Sequence, residues 1–238
     1  MHDAFTDASS WAGVVRLLQT TGLTVLAPAN PLRGLAHDAA YLKTVLRRLD
    51  TPVVLAGHGY GGAVVTEAAA GTDKVVALCY VAAFGLDAGE CLLDVTSRFA
   101  PVPAADAMVA AAVPAPCSAG PHRELYIRAE RFPQVYAADL SPRLASVLSV
   151  AQRPIAQRAL TARSGPPAWA GAPSWYAIAA ADRMLNPTAQ RFMAQRMAAT
   201  EYVLDASHAV VLARPGGVAA MIREAAARGC ARGAAVDL

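Results

Sequence analysis

Apolar positions along the chain follow two different periods. Helical spacing marks residues 9–22, where Trp11, Val14, Leu17 and Leu18 recur and Gly22 supplies a stop. It returns over residues 35–50, with Leu35, Leu42, Val45, Leu46 and Leu49 on one side. Short apolar runs fall at 24–28, 52–56 and 74–84. A run with almost no polar break reads as a strand buried on both faces, as in a parallel sheet. Gly57 to Gly62 closes the second run, and a helix is expected over 63–70. Further on, strands are predicted at 173–180 and 200–206, and helices at 187–199 and 217–228. This alternation predicts an α/β fold with a doubly wound, mostly parallel sheet. Sites are then expected at the carboxyl ends of the strands.

Between residues 87 and 167 the pattern breaks. Eight prolines from Pro101 to Pro154, Pro116 and Pro121 among them, separate short helical patches. The stretch reads as an inserted helical lid on a single domain, whose core is residues 1–86 and 168–238. Its apolar side chains, such as Leu92, Leu93, Phe99, Phe132, Tyr136 and Leu148, either roof an apolar pocket or pack among themselves.

Composition narrows the function classes. A chain of 238 residues fits one domain with a full core. Hydrophobic residues make up 55% and charged residues 16%, which argues for a packed globule and against disorder. The net charge of +3 comes from scattered Lys and Arg, so nucleic acid is not an expected partner. No apolar run approaches the roughly 18 residues of a membrane span. Asp3 and Asp7 interrupt any signal-peptide pattern, so a cytoplasmic setting with no membrane partner is expected. Cys79, Cys91, Cys117 and Cys230 show neither metal-type nor disulfide-type spacing. No metal and no cofactor are expected, and Cys79 reads as a core residue of its strand. The expected partner is a small apolar organic substrate or ligand, and a homo-oligomer is compatible with the composition.

Candidate chemistry collects at three strand ends, in order. The first is Gly57-His58-Gly59-Tyr60-Gly61-Gly62, between a strand and a helix; then come Asp182, past the strand at 173–180, and His208, past the strand at 200–206. Strand–turn–helix, then acid, then histidine is the order of the triad in α/β hydrolases. With the opening His2-Asp3-Ala4-Phe5 and the Tyr80-to-Phe84 run, the chain resembles that superfamily, in particular its small esterase and hydroxynitrile-lyase-like branch. The resemblance implies a nucleophile at position 59, where this chain has glycine. It further implies a base at His208, an orienting acid at Asp182, and oxyanion donors from Tyr60 and from Ala4 or Phe5. In that branch the opening loop reads His-Gly-Ala, so Asp3 is a departure. A core strand normally precedes that loop, and the sequence as given is expected to be short of it.

Three readings follow. One is an ester hydrolase lineage that lacks its serine, for which Gly59→Ser is expected to restore activity. Another is a lyase- or isomerase-type enzyme using His208–Asp182 as a general base without a nucleophile. The third is a non-catalytic small-molecule-binding pseudoenzyme. A rival motif is present, because Gly57 to Gly62 also satisfies G-x-G-x-x-G. The acid that a dinucleotide site needs about 20 residues later is absent there; Val81, Ala82 and Ala83 occupy that stretch, and Asp87 lies beyond it.

Overall fold

The computed structural model describes residues 1–114 and 122–233. Cys117, Pro116 and Pro121 therefore lie outside the described residues. Seven strands and nine α-helices are found among the described residues. The core sheet is β1 (Val53–His58), β2 (Val75–Val81), β6 (Ser174–Ala179) and β7 (Thr200–Leu204), side by side and all parallel. Pleating sends alternate side chains of β2 to opposite faces. Leu78 and Tyr80 join one buried cluster, and Ala77, Cys79 and Val81 join the other. β6 does the same, with Tyr176 and Ile178 on the first side and Trp175, Ala177 and Ala179 on the second. The first face is covered by α2 (Leu35–Arg47), α3 (Tyr60–Ala69) and α7 (Pro187–Arg196). The second is covered by α1 (Ala12–Gln19), α8 (Val210–Ala213) and α9 (Pro215–Gly233).

The inserted region holds α4 (Leu92–Thr96), α5 (Phe132–Val135) and α6 (Pro142–Val150). It also holds a sheet absent from the sequence reading: β3 (Met108–Val113), β4 (His122–Ile127) and β5 (Ile155–Ala156), paired antiparallel. Met108–Val113 is alanine-rich, so propensity alone favours helix; its ladder with β4 overrides that preference. Of the apolar lid residues, Leu92, Phe132 and Tyr136 are buried whereas Leu93 is exposed.

Two expectations need correction. Helix α3 begins at Tyr60 rather than at residue 63, so the glycine turn itself opens the helix. Residues 24–28 form no strand. A strand exists only against a neighbour, and residues 24–28 instead border an apolar cavity of about 260 Å³. Val25 and Leu26 line it together with Val54 and Ala56 of β1. On this side Met1 bridges to β1: its nitrogen donates to the Ala56 carbonyl (2.5 Å), and its own carbonyl accepts from the His58 amide (3.0 Å). That is one step of a parallel ladder.

Because His58 turns its amide toward Met1, the pleat turns the Val54 and Ala56 amides toward the same cavity. Leu55 and Gly57 turn theirs toward β2. Amide hydrogen exchange is therefore expected to be faster at Val54 and Ala56 than at Leu55 and Gly57. Equal protection along the strand would contradict this account of the β1 edge.

Candidate functional site

The site lies where β1, β6 and β7 end. After β1 the backbone reverses at Gly59, with φ 53° and ψ −121°, a region that side chains with a Cβ seldom enter. The turn is also crowded. A Cβ on Gly61 would meet the Met1 carbonyl oxygen at 2.5 Å and that of His2 at 2.8 Å. Glycine at 61 thus lets the opening loop lie directly on the turn, and this close approach delivers Asp3 into the site.

Asp3 is the residue that the sequence reading left without a role. Its Oδ1 accepts from the Tyr60 amide at 2.6 Å. Its Oδ2 accepts from the Tyr136 hydroxyl at 3.1 Å and lies 3.0 Å from His208 Nε2. A Cβ built on Gly59 would stand 1.9 Å from Asp3 Oδ1. Glycine at 59 and aspartate at 3 are therefore spatially coupled, because the carboxylate occupies the volume that any side chain at 59 would fill. The departure from His-Gly-Ala was visible in the sequence, but its partner 56 positions away was not.

His208 follows β7, and its Nδ1 lies 2.7 Å from Asp182 Oδ2. Asp182 follows β6 and is held on both oxygens. Oδ1 accepts from the Met184 and Leu185 amides (2.7 and 3.0 Å), and Oδ2 from Gln190 Nε2 (2.7 Å). It does not cap the next helix; Asn186 does. His58 lies beneath, its ring 4.9 Å from that of His208, with its Nε2–H donating to the His208 carbonyl at 2.8 Å. Of the expected oxyanion donors, Tyr60 has its amide engaged by Asp3. The Phe5 amide is spent elsewhere, on the Arg153 carbonyl at 2.9 Å. Ala4 is buried in the same loop. Asp3, His58, Tyr136 and Gln190 are thus added to the residues expected from sequence.

The electrostatics follow from burial. Asp3 is 4% exposed and His208 3%. Burial opposes charge on His208, but the Asp182 carboxylate, and then Asp3, outweigh it and push its pKa up to about 10. Burial likewise opposes charge on Asp3, yet the hydrogen bond and charge of His208 hold its carboxyl below the usual range. Tyr136 is held well above its ordinary range by burial first and Asp3 second, so it remains a hydroxyl donor. Burial lowers His58 to about 4, leaving it neutral. At neutral pH the site is therefore a carboxylate–imidazolium–carboxylate relay, Asp3–His208–Asp182.

The family model described as "Alpha/beta hydrolase family" matches residues 1–221. No curated protein matches the chain. Among solved structures, polyneuridine aldehyde esterase aligns at 16% identity and TM-score 0.81, covering 94% of this chain and 96% of that one. A methylesterase from Arabidopsis aligns at 21% and 0.76, covering 95% and 97%. A pyrethroid hydrolase from Sphingobium faniae aligns at 22% and 0.74, covering 94% of each chain. At these identities the likeness is one of fold.

The relay gives a pH signature. A histidine raised from 6.5 to about 10 contributes stability that is complete below about 6.5 and is lost as pH climbs through 10. The His208 ring is expected to titrate near 10 by NMR, and Asp3→Asn is expected to lower that value. A ring titrating near 6.5 in both chains would contradict the relay.

Proposed function

We propose, for a chain that belongs to the alpha/beta hydrolase family, that it derives from hydrolases of small apolar esters and has serine chemistry shut at its nucleophile turn. The observation that carries this reading is the Asp3 carboxylate in the volume above Gly59. A serine enzyme of this geometry needs three free groups: a hydroxyl at the turn, an imidazole nitrogen to take its proton, and an amide to receive the oxyanion. Position 59 supplies no hydroxyl. Asp3 engages the other two, facing His208 Nε2 with one oxygen and the Tyr60 amide with the other. The esterases and the pyrethroid hydrolase with the same fold support the ester lineage and an apolar substrate.

The readings that dispense with a nucleophile are weighed on the state of His208. A ring held at about 10 carries its proton at neutral pH, so in this closed arrangement it is an acid and not a general base. Base catalysis by His208–Asp182 would first require Asp3 to withdraw from Nε2. A binding role without turnover fits the closed relay and is the outcome to which the test below leads if chemistry cannot be restored.

The sequence leads one to expect that Gly59→Ser alone restores activity; the structure reverses that expectation, because the new side chain meets Asp3 at 1.9 Å and the single variant is expected to stay inactive. The paired change Asp3→Gly with Gly59→Ser removes that obstacle. It is expected to hydrolyse a short p-nitrophenyl ester at least about 10³-fold faster than the starting chain, within the roughly million-fold span that a triad nucleophile commands. His208→Ala added to the pair should abolish the gain. A folded double variant no faster than the starting chain would overturn the reading.

A further inference from the structure

Serine chemistry does not account for what the site holds instead. One ligating atom from each of Asp3, His58 and His208 lies within 4.8 Å of the other two, and all three residues are buried. Within this cluster His58 is incomplete. Its Nε2–H is spent on the His208 carbonyl, so its free lone pair is on Nδ1, which is buried without any hydrogen-bond partner. A buried ring nitrogen left unpaired is costly and asks for an explanation.

We propose that Asp3, His58 and His208 form a binding site for one divalent first-row transition ion, since two imidazole nitrogens and one carboxylate oxygen suit zinc and iron(II) alike, with zinc the ion used to probe it. Such a set leaves at least one coordination position open, the arrangement of catalytic rather than structural sites. The outer contacts are those that ligand side chains require. A metal-bound histidine normally donates its other ring N–H to a carbonyl or carboxylate, which fixes the tautomer. His58 donates to the His208 carbonyl, and His208 to Asp182. The carboxylate of Asp3 is steadied by the Tyr60 amide and the Tyr136 hydroxyl.

Charge agrees, and so does the spacing of one pair, whereas His58 stands within 4.8 Å of the other two donors and must close on them by up to about 1.4 Å. Three donors about 2.1 Å from a tetrahedral ion stand about 3.4 Å apart. Asp3 Oδ2 and His208 Nε2, at 3.0 Å, need to open only slightly. The ion takes the place of the proton between those two atoms. With that proton gone, the two carboxylates of Asp3 and Asp182 balance a dication, and the buried cluster becomes formally neutral. The pairing of glycine at 59 with aspartate at 3 gains a purpose, since only a bare Cα at 59 admits the third ligand. The proposal does not rest on the ester lineage and stands or falls separately from it.

The test uses the full chain. After incubation with zinc chloride at pH 8 and desalting, elemental analysis is expected to find close to one zinc per chain, and none retained after the same treatment with magnesium. Asp3→Asn and His58→Gln, each checked for a cooperative thermal transition, should weaken zinc binding at least about 10-fold. Cobalt(II) added to the unaltered chain should give the visible absorption of a low-coordinate, nitrogen-ligated ion that zinc abolishes; this readout needs no variant. A folded chain that retains no zinc, a cobalt spectrum like that of the aqueous ion, or variants that bind as tightly as the starting chain would each overturn the proposal.

Discussion

The buried carboxylate of Asp3 is the constraint on which the site depends. A charge at 4% exposure persists only where hydrogen bonds and an opposite charge replace water. Here the Tyr60 amide, the Tyr136 hydroxyl and His208 do so. Each comes from a different part of the fold: the start of α3, the residue just past α5, and the loop after β7. Asp3 thus joins the core sheet to the inserted region, and its presence fixes what residue 59 can be. The protonation of His208 follows from the same carboxylate together with Asp182.

Much of the parallel core was legible. Continuous apolar runs at 52–56, 74–84 and 173–180 can be buried on both faces only in such a sheet, and β1, β2 and β6 fall within or beside them. The run at 24–28 carries the same signal and forms no strand, since pairing depends on a neighbour that composition does not encode. The second sheet was hidden for a related reason: Met108–Val113 looks helical in isolation and is fixed by its ladder with β4.

The site divides along the same line. Asp182 and His208 were visible because acid and histidine after successive strands are a local, ordered signal. Asp3 was noticed only as a misfit in the opening loop. Its role depends on the loop lying against Gly61 and on the volume that the bare Cα of Gly59 leaves to its carboxylate, neither of which has a one-dimensional signature. His58 was hidden more deeply, because a histidine beside the turn is unremarkable until its Nδ1 is found buried and unpaired.

The central claim is that Asp3 and Gly59 share one volume. A thermodynamic double-mutant cycle on Gly59→Ala and Asp3→Gly, followed by urea unfolding, tests it most directly. Backbone strain at the positive φ of residue 59 appears in both arms and cancels, so only the contact remains. The account predicts a coupling of about 1–3 kcal/mol, the alanine being far better tolerated once Asp3 is gone. Additive effects, equal within about 0.5 kcal/mol, would show that the carboxylate does not occupy the space above Gly59.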